Sequence, residues 1–188
     1  MYNKIIEKNL INYIYNNFEI FYQGSKQKIM KKTRVLSVCN QKGGAGKTVS
    51  TREISYLLAG KAKVLMIDMD ASCNLTTSFD IIYPEPEEQR RKVNSIYDLL
   101  TGECAVDECI YKVDESRELY IVPGHRKMLS QNFTGISDMT LLKDAIDDYI
   151  KTMNEFDFVL IDVGPTAGQI MMMVLYASDY VIAPAEPG

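Results

Sequence analysis

The sequence has no long hydrophobic run; nowhere does it approach the roughly 18–20 consecutive apolar residues that a membrane-spanning helix needs. Ile and Tyr are frequent near the N-terminus, but Asn, Lys and Glu interrupt them, and no small-residue cleavage site follows. Cysteine is sparse. Cys39, Cys73, Cys104 and Cys109 make no dense secreted framework, and a cytoplasmic location is the expectation. Cys104 and Cys109 are five apart, whereas zinc sites favour two-residue spacing and four ligands, which argues against a metal there. There is a single histidine, His125, and its neighbours Pro123, Gly124, Arg126 and Lys127 read as a surface loop rather than the setting of a catalytic base. An excess of positive charge is missing too. With a formal charge of -4, the chain as a whole offers no field that attracts nucleic acid. No internal repeat is found.

What is present suits a globular domain: 188 residues, 46% hydrophobic and 24% charged. Residues 1–29 differ in composition from the rest, and Ile6, Leu10, Ile14, Phe18 and Phe21 recur at three- and four-residue steps. That spacing predicts a helical extension, laid against its own domain in preference to a partner or a membrane surface, with Gly24 and Ser25 ending it. Residues 30–188 are then expected to form the main domain. Short apolar runs recur at Val35–Cys39, Val64–Ile67, Leu119–Val122, Phe158–Ile161 and Tyr180–Ala183, each read as a buried strand. Between them, Lys47–Gly60 reads as a helix with Ile54, Leu57 and Leu58 inward, and Asp138–Met153 as a longer one. In the latter Leu141, Leu142, Ala145, Ile146, Tyr149 and Ile150 make the apolar stripe, and Lys143, Asp144, Asp147 and Asp148 face water. Met171–Met173 reads as core filling. Residues 81–95 read as a polar connection in which Arg90, Arg91 and Lys92 are solvated. Buried strands alternating with helices predict an α/β fold: a doubly wound parallel sheet with helices on both faces.

Three segments carry chemistry. Gln41-Lys42-Gly43-Gly44-Ala45-Gly46-Lys47-Thr48 follows one strand and opens one helix. Small residues let backbone N–H groups curl around phosphate oxygens, and a helix N-terminus adds partial positive charge. In that context Gly43, Gly44, Ala45 and Gly46 are candidate phosphate-binding residues, Lys47 neutralises the β and γ oxygens of ATP or ADP, and Thr48 ligates Mg²⁺. Ile67-Asp68-Met69-Asp70 puts two carboxylates just past a buried strand, where ligands of parallel sheets bind. Phe158-Val159-Leu160-Ile161-Asp162 ends a hydrophobic strand on a carboxylate, the pattern that holds Mg²⁺ through water.

The loop departs from the general G-x-x-x-x-G-K-[ST] pattern by Gln41 and by a second lysine, Lys42. With K-G-G-x-G-K-[ST] it resembles the deviant Walker A group, the ParA/MinD family that also includes the nitrogenase iron protein. The resemblance covers about residues 33–188, and Met30-Lys31-Lys32-Thr33-Arg34-Val35 is similar to the usual start of such a protein. It implies that Lys42 reaches across an ATP-dependent homodimer to the partner subunit's nucleotide. It implies further that Asp70 positions or activates the attacking water while Asp68 supports the Mg²⁺ network. Asn74, Leu75 and Thr76 continue the family's D-x-D-P-Q-x-N-x-T motif, but Ala71-Ser72 replaces Pro-Gln. In the third segment Gly164 stands where the family's D-T-P-P has its first proline, which predicts a softened γ-phosphate sensor. The partition ATPases fit best, implying a slow ATPase switch in plasmid or chromosome partition with a ParB-like partner. The sequence ends at Ala183-Pro184-Ala185-Glu186-Pro187-Gly188, where the family adds adenine contacts and a basic patch for DNA, so the expectation is a C-terminally truncated member. DNA contact stays open on this reading, as does a nucleotide-binding regulatory module without turnover. A MinD-like division regulator needs a C-terminal membrane helix that this sequence does not contain.

Overall fold

The computed structural model describes residues 33–81, 93–129, 137–151, 156–165 and 168–185. The expected N-terminal helix, the residues from Met30 to Lys32, the Arg90–Lys92 run, Met153 and Glu186–Gly188 lie outside them.

Six strands form one sheet in the order β3-β4-β2-β5-β1-β6. They are β1 (Arg34–Val38), β2 (Val64–Asp68), β3 (Tyr111–Asp114), β4 (Leu119–Val122), β5 (Phe158–Asp162) and β6 (Tyr180–Ile182). All pairings are parallel except that of β3, which runs antiparallel to β4 at the edge. The doubly wound parallel sheet expected from the sequence is therefore present. Strands β2 and β5 are buried at every position, because helices cover both faces.

Alternation of side chains splits the core in two. On one face Val35, Leu65, Ile67, Val159 and Ile161 pack with Leu142, Ile146, Met173 and Val174. On the other, Leu36, Met66, Ile121 and Leu160 pack with Ile54 and Leu58 of α1 (Lys47–Leu58). Each such side chain adds on the order of 1.5–3 kcal/mol through loss of water contact, which is why these apolar runs form strands rather than exposed loops.

Four expectations are corrected. Leu57 is 41% exposed rather than inward. The buried face of α1 is set by Lys47, Thr51, Ile54, Ser55 and Leu58, and Leu57 lies roughly a quarter turn away from its centre. Strand β6 is not buried: Tyr180 and Val181 are exposed, since among the described residues it pairs with β1 on one side only. Met172 is exposed between the core residues Met171 and Met173, as a single helix face must leave it. The helix expected over Asp138–Met153 is a 3-10 turn at Ser137–Met139, a short α-helix at Leu141–Ala145 and a wider π-helical stretch at Ile146–Lys151. Its stripe survives, with Leu142, Ile146 and Ile150 buried. No helix among the described residues is long and apolar enough to cross a membrane.

Candidate functional site

Register brings the three chemical segments together. In the parallel pairings Val38 stands beside Asp162, and Asp162 beside Asp68, so all three strands end on one edge of the sheet. The segments that follow them line a cleft of about 890 Å³. Its walls include Gly43–Val49, Asp70, Asn74, Gly164 and the turn carrying Arg126 and Met128.

The loop between β1 and α1 is shaped by two glycines. Gly44 and Gly46 have φ of 75° and 82°, a region that L-residues with a side chain avoid. A Cβ at either position would meet nothing within 4 Å, so the requirement there is for the backbone conformation itself and not for space. Gly46 also caps α1 without a side-chain hydrogen bond, which leaves the first-turn N–H groups available to an anion. Lys47, 7% exposed, folds its Nζ back to donate to the Lys42 carbonyl at 3.2 Å. Asn40 anchors the start of the loop: its Oδ1 accepts the Lys42 N–H at 2.8 Å and its Nδ2 donates to the Pro184 carbonyl at 2.6 Å. Lys42 itself is exposed and does not line the cleft.

Asp162 is fully buried. Its Oδ1 lies 3.4 Å from the Thr51 hydroxyl and the Thr48 hydroxyl is near enough to favour its ionised form, while Oδ2 has no partner among the described residues. Burial pushes its carboxyl up to about 7; the Asp68 and Asp70 charges push the same way, against the Thr48 hydrogen bond and Lys47. An orphaned carboxylate oxygen beside a loop hydroxyl is the arrangement a Mg²⁺ ion with its waters would complete. Among the described residues no cluster of three or more His, Cys, Asp or Glu could hold a metal unaided, so such an ion would draw its other ligands from phosphate.

Asp68 is equally buried but lies behind the cleft. Its Oδ1 accepts the Asp70 N–H at 3.1 Å, and its Oδ2 accepts both the N–H and the hydroxyl of Thr76, at 2.9 and 2.6 Å. The Thr76 hydroxyl in turn accepts the Gly124 N–H at 2.8 Å. Burial raises Asp68 to about 6, with those hydrogen bonds pulling back. This clamp fixes the turn that carries Asp70. A Cβ on Gly124 would stand 2.9 Å from the Asp68 Cγ and 3.1 Å from its carbonyl oxygen. Gly124→Ala is therefore expected to cost about 1–3 kcal/mol of stability, read in urea unfolding.

Asp70 lines the cleft, partly exposed, with Oδ1 accepting the Ser72 N–H at 2.9 Å. Its carboxylate packs against Gly164, where a Cβ would come within 3.1 Å of Oδ1. The proline-to-glycine departure in this loop therefore leaves room for the present position of Asp70. Next to it Cys73 takes a φ of 55°, an uncommon conformation for a side-chain-bearing residue. Thr51, Gly124, Asn40 and Arg126 are site residues that the motifs do not mark, and Thr76, which a motif does mark, acts through Asp68. His125 accepts the Lys127 N–H on Nδ1 and stacks near Tyr97, outside the cleft lining.

A glycine-shaped loop opening a helix on the carboxyl edge of a mostly parallel sheet, with a buried acid on the neighbouring strand, defines a P-loop nucleotide-binding domain. A family model described as an AAA domain matches residues 33–188, and the chain belongs to that family, in its ParA group. The chromosome partitioning protein ParA of Caulobacter vibrioides is 30% identical over 157 residues, 81% of this chain and 56% of that protein. A plasmid partition protein of Borrelia burgdorferi, solved with AMPPNP bound, is 29% identical with a TM-score of 0.69 over 82% of this chain and 63% of that one. Cobyrinic acid a,c-diamide synthase of Mycobacterium smegmatis, solved with ADP and magnesium, is 27% identical with a TM-score of 0.67, covering 81% of this chain and 59% of that one. The chain spans little more than half the length of the curated relatives it matches.

Proposed function

We propose that residues 30–188 bind ATP or ADP with Mg²⁺ in this cleft and hydrolyse ATP slowly, as a ParA-type switch in plasmid or chromosome partition, residues 1–29 being an added extension. The observation that carries the reading is the loop with left-handed Gly44 and Gly46 lining the cleft, next to a strand that ends on buried Asp162, whose Oδ2 has no partner among the described residues. In this reading the N–H groups of Gly43–Thr48 cradle the phosphates, and Lys47 leaves the Lys42 carbonyl to neutralise them. Thr48 and Asp162 hold the Mg²⁺, with Asp68 supporting the turn beside them. The ion supplies charge neutralisation on the phosphate oxygens. Asp70 orients the attacking water and accepts its proton.

Lys47→Ala is expected to weaken ATP binding by about 10- to 100-fold, the worth of one charge-assisted phosphate contact. Isothermal calorimetry reads it directly; equal affinities in wild type and variant would remove Lys47 from the site.

The dimer part of the reading rests on Lys42, exposed beside the loop and outside its own cleft. A second cation there offsets the repulsion of two facing nucleotides. ATP with Mg²⁺ is expected to shift the chain from monomer to dimer in light scattering, and Lys42→Ala to abolish the shift while affinity per monomer stays within about threefold. A wild type that stays monomeric with ATP bound would end the switch mechanism but not the phosphate site. A ParB-like protein is the proposed partner of that dimer.

A further inference from the structure

The cleft holds a cation that the phosphate loop does not explain. Among the described lining residues the charged side chains are Lys47, Asp70 and Arg126. Arg126 is exposed, and its guanidinium makes no hydrogen bond or ion pair among the described residues. Burial and the Asp68 and Asp70 charges push the Cys73 thiol up to about 12, and Arg126 is close enough to that turn to pull weakly the other way.

The backbone that carries it is held tightly. The Pro123 carbonyl accepts the Ile96 N–H at 2.8 Å, and the Gly124 N–H joins the Thr76–Asp68 clamp at 2.8 Å. On the far side the Met128 N–H donates to the His125 carbonyl at 3.0 Å, and the Met128 side chain, 1% exposed, is sunk in the core. An arginine that lines a cleft from a fixed turn, without a hydrogen-bond or ion-pair partner among the described residues, is preorganised for an anion, because only its own side chain remains to be ordered.

The strand order decides which part of a nucleotide it meets. Strand β4, which carries the turn, is separated from β1 by β2 and β5. At about 4.8 Å per strand the loop and the turn start roughly 14 Å apart. On the nucleotide reading, the loop and the N–H groups of α1 would hold the inner phosphates. A phosphate chain held there by its inner phosphates would reach the turn, past Asp70, only with its far end, the end that carries the most charge.

We propose that Arg126 contacts the terminal phosphate of the nucleotide in its own subunit and so gives the cleft its preference for a triphosphate over a diphosphate. This rests on the reading of the cleft as a nucleotide site. A planar fork of donors suits phosphate oxygens, and an arginine at the γ-phosphate stabilises the charge spread during transfer.

The test is calorimetric titration of the full chain with Mg²⁺-AMPPNP and with Mg²⁺-ADP, in wild type, Arg126→Ala and Arg126→Lys. Arg126→Ala is expected to weaken AMPPNP by about 10-fold or more and ADP by less than about twofold, and Arg126→Lys to recover part of the loss. A merely structural role would lower both affinities together. An unchanged AMPPNP-to-ADP ratio in Arg126→Ala, with wild type binding both, overturns the role of Arg126 alone. A folded wild type that binds neither nucleotide overturns the cleft reading with it.

Discussion

Asp70→Ala lowers steady-state phosphate release by about 100- to 1000-fold on this account, with ATP affinity changed by less than about threefold. The asymmetry follows from what Asp70 does. Among the described residues it is the carboxylate that lines the cleft, and it makes no hydrogen bond there to the loop or to the buried Asp162. Its contribution is to the water that becomes nucleophilic only in the transition state, so its removal shows in turnover and hardly in ground-state binding. Asp70→Asn separates charge from shape: the amide keeps the Ser72 contact through its carbonyl but cannot accept the proton, and is expected to be as slow as alanine. An Asp70→Ala chain that releases phosphate at the wild-type rate would take Asp70 out of the mechanism.

Asp162→Asn stabilises the nucleotide-free chain at pH 8 while removing its response to Mg²⁺. Burial holds Asp162 at about 7, helped by the Asp68 and Asp70 charges, and Asp68 at about 6, helped by Asp70 alone, both above their ordinary values. A carboxyl raised in the folded state binds its proton more tightly there than in the unfolded chain. Its stabilising contribution is thus full below pH ~4 and is lost as pH rises through about 7. The wild-type chain should therefore lose stability between about pH 4 and 8, at up to ~1.4 kcal/mol per pH unit for each such group. Asn carries no charge to bury, so the variant's advantage at pH 8 is on the order of 2–4 kcal/mol and fades toward pH 5. Urea unfolding at pH 5, 7 and 8 reads it. An identical pH slope in wild type and variant would contradict the assignment of that slope to Asp162.

These two acids also show what the sequence made legible. Each ends an apolar run, and parallel pairing in register, with Val38 beside Asp162 beside Asp68, carries that one-dimensional pattern to a shared edge. The phosphate loop was readable for the same reason, since its chemistry lies within eight consecutive residues. What escaped was set by distant contacts. The Asp68 clamp joins Thr76, a motif residue, to Gly124, 48 residues on, and nothing local marks Gly124 as its partner. Arg126 stands in a Pro-Gly turn that reads as an ordinary loop until β4 is placed in the sheet. Strand β3 is short, half-exposed and interrupted between Lys112 and Asp114, so its alternation is too weak to register. Tyr180 and Val181 look like core on apolarity alone. Only the strand order shows that β6 lies at an edge of the sheet formed by the described residues, where burial is one-sided.

Calorimetric titration of ATP into the full chain, once with Mg²⁺ and once with EDTA, tests the central claim most directly. The account predicts one nucleotide per chain, with Mg²⁺ tightening it by about 10-fold or more through the pairing of Thr48 and Asp162 with the ion. A folded chain that takes up no ATP, or takes it up equally with and without Mg²⁺, would contradict it.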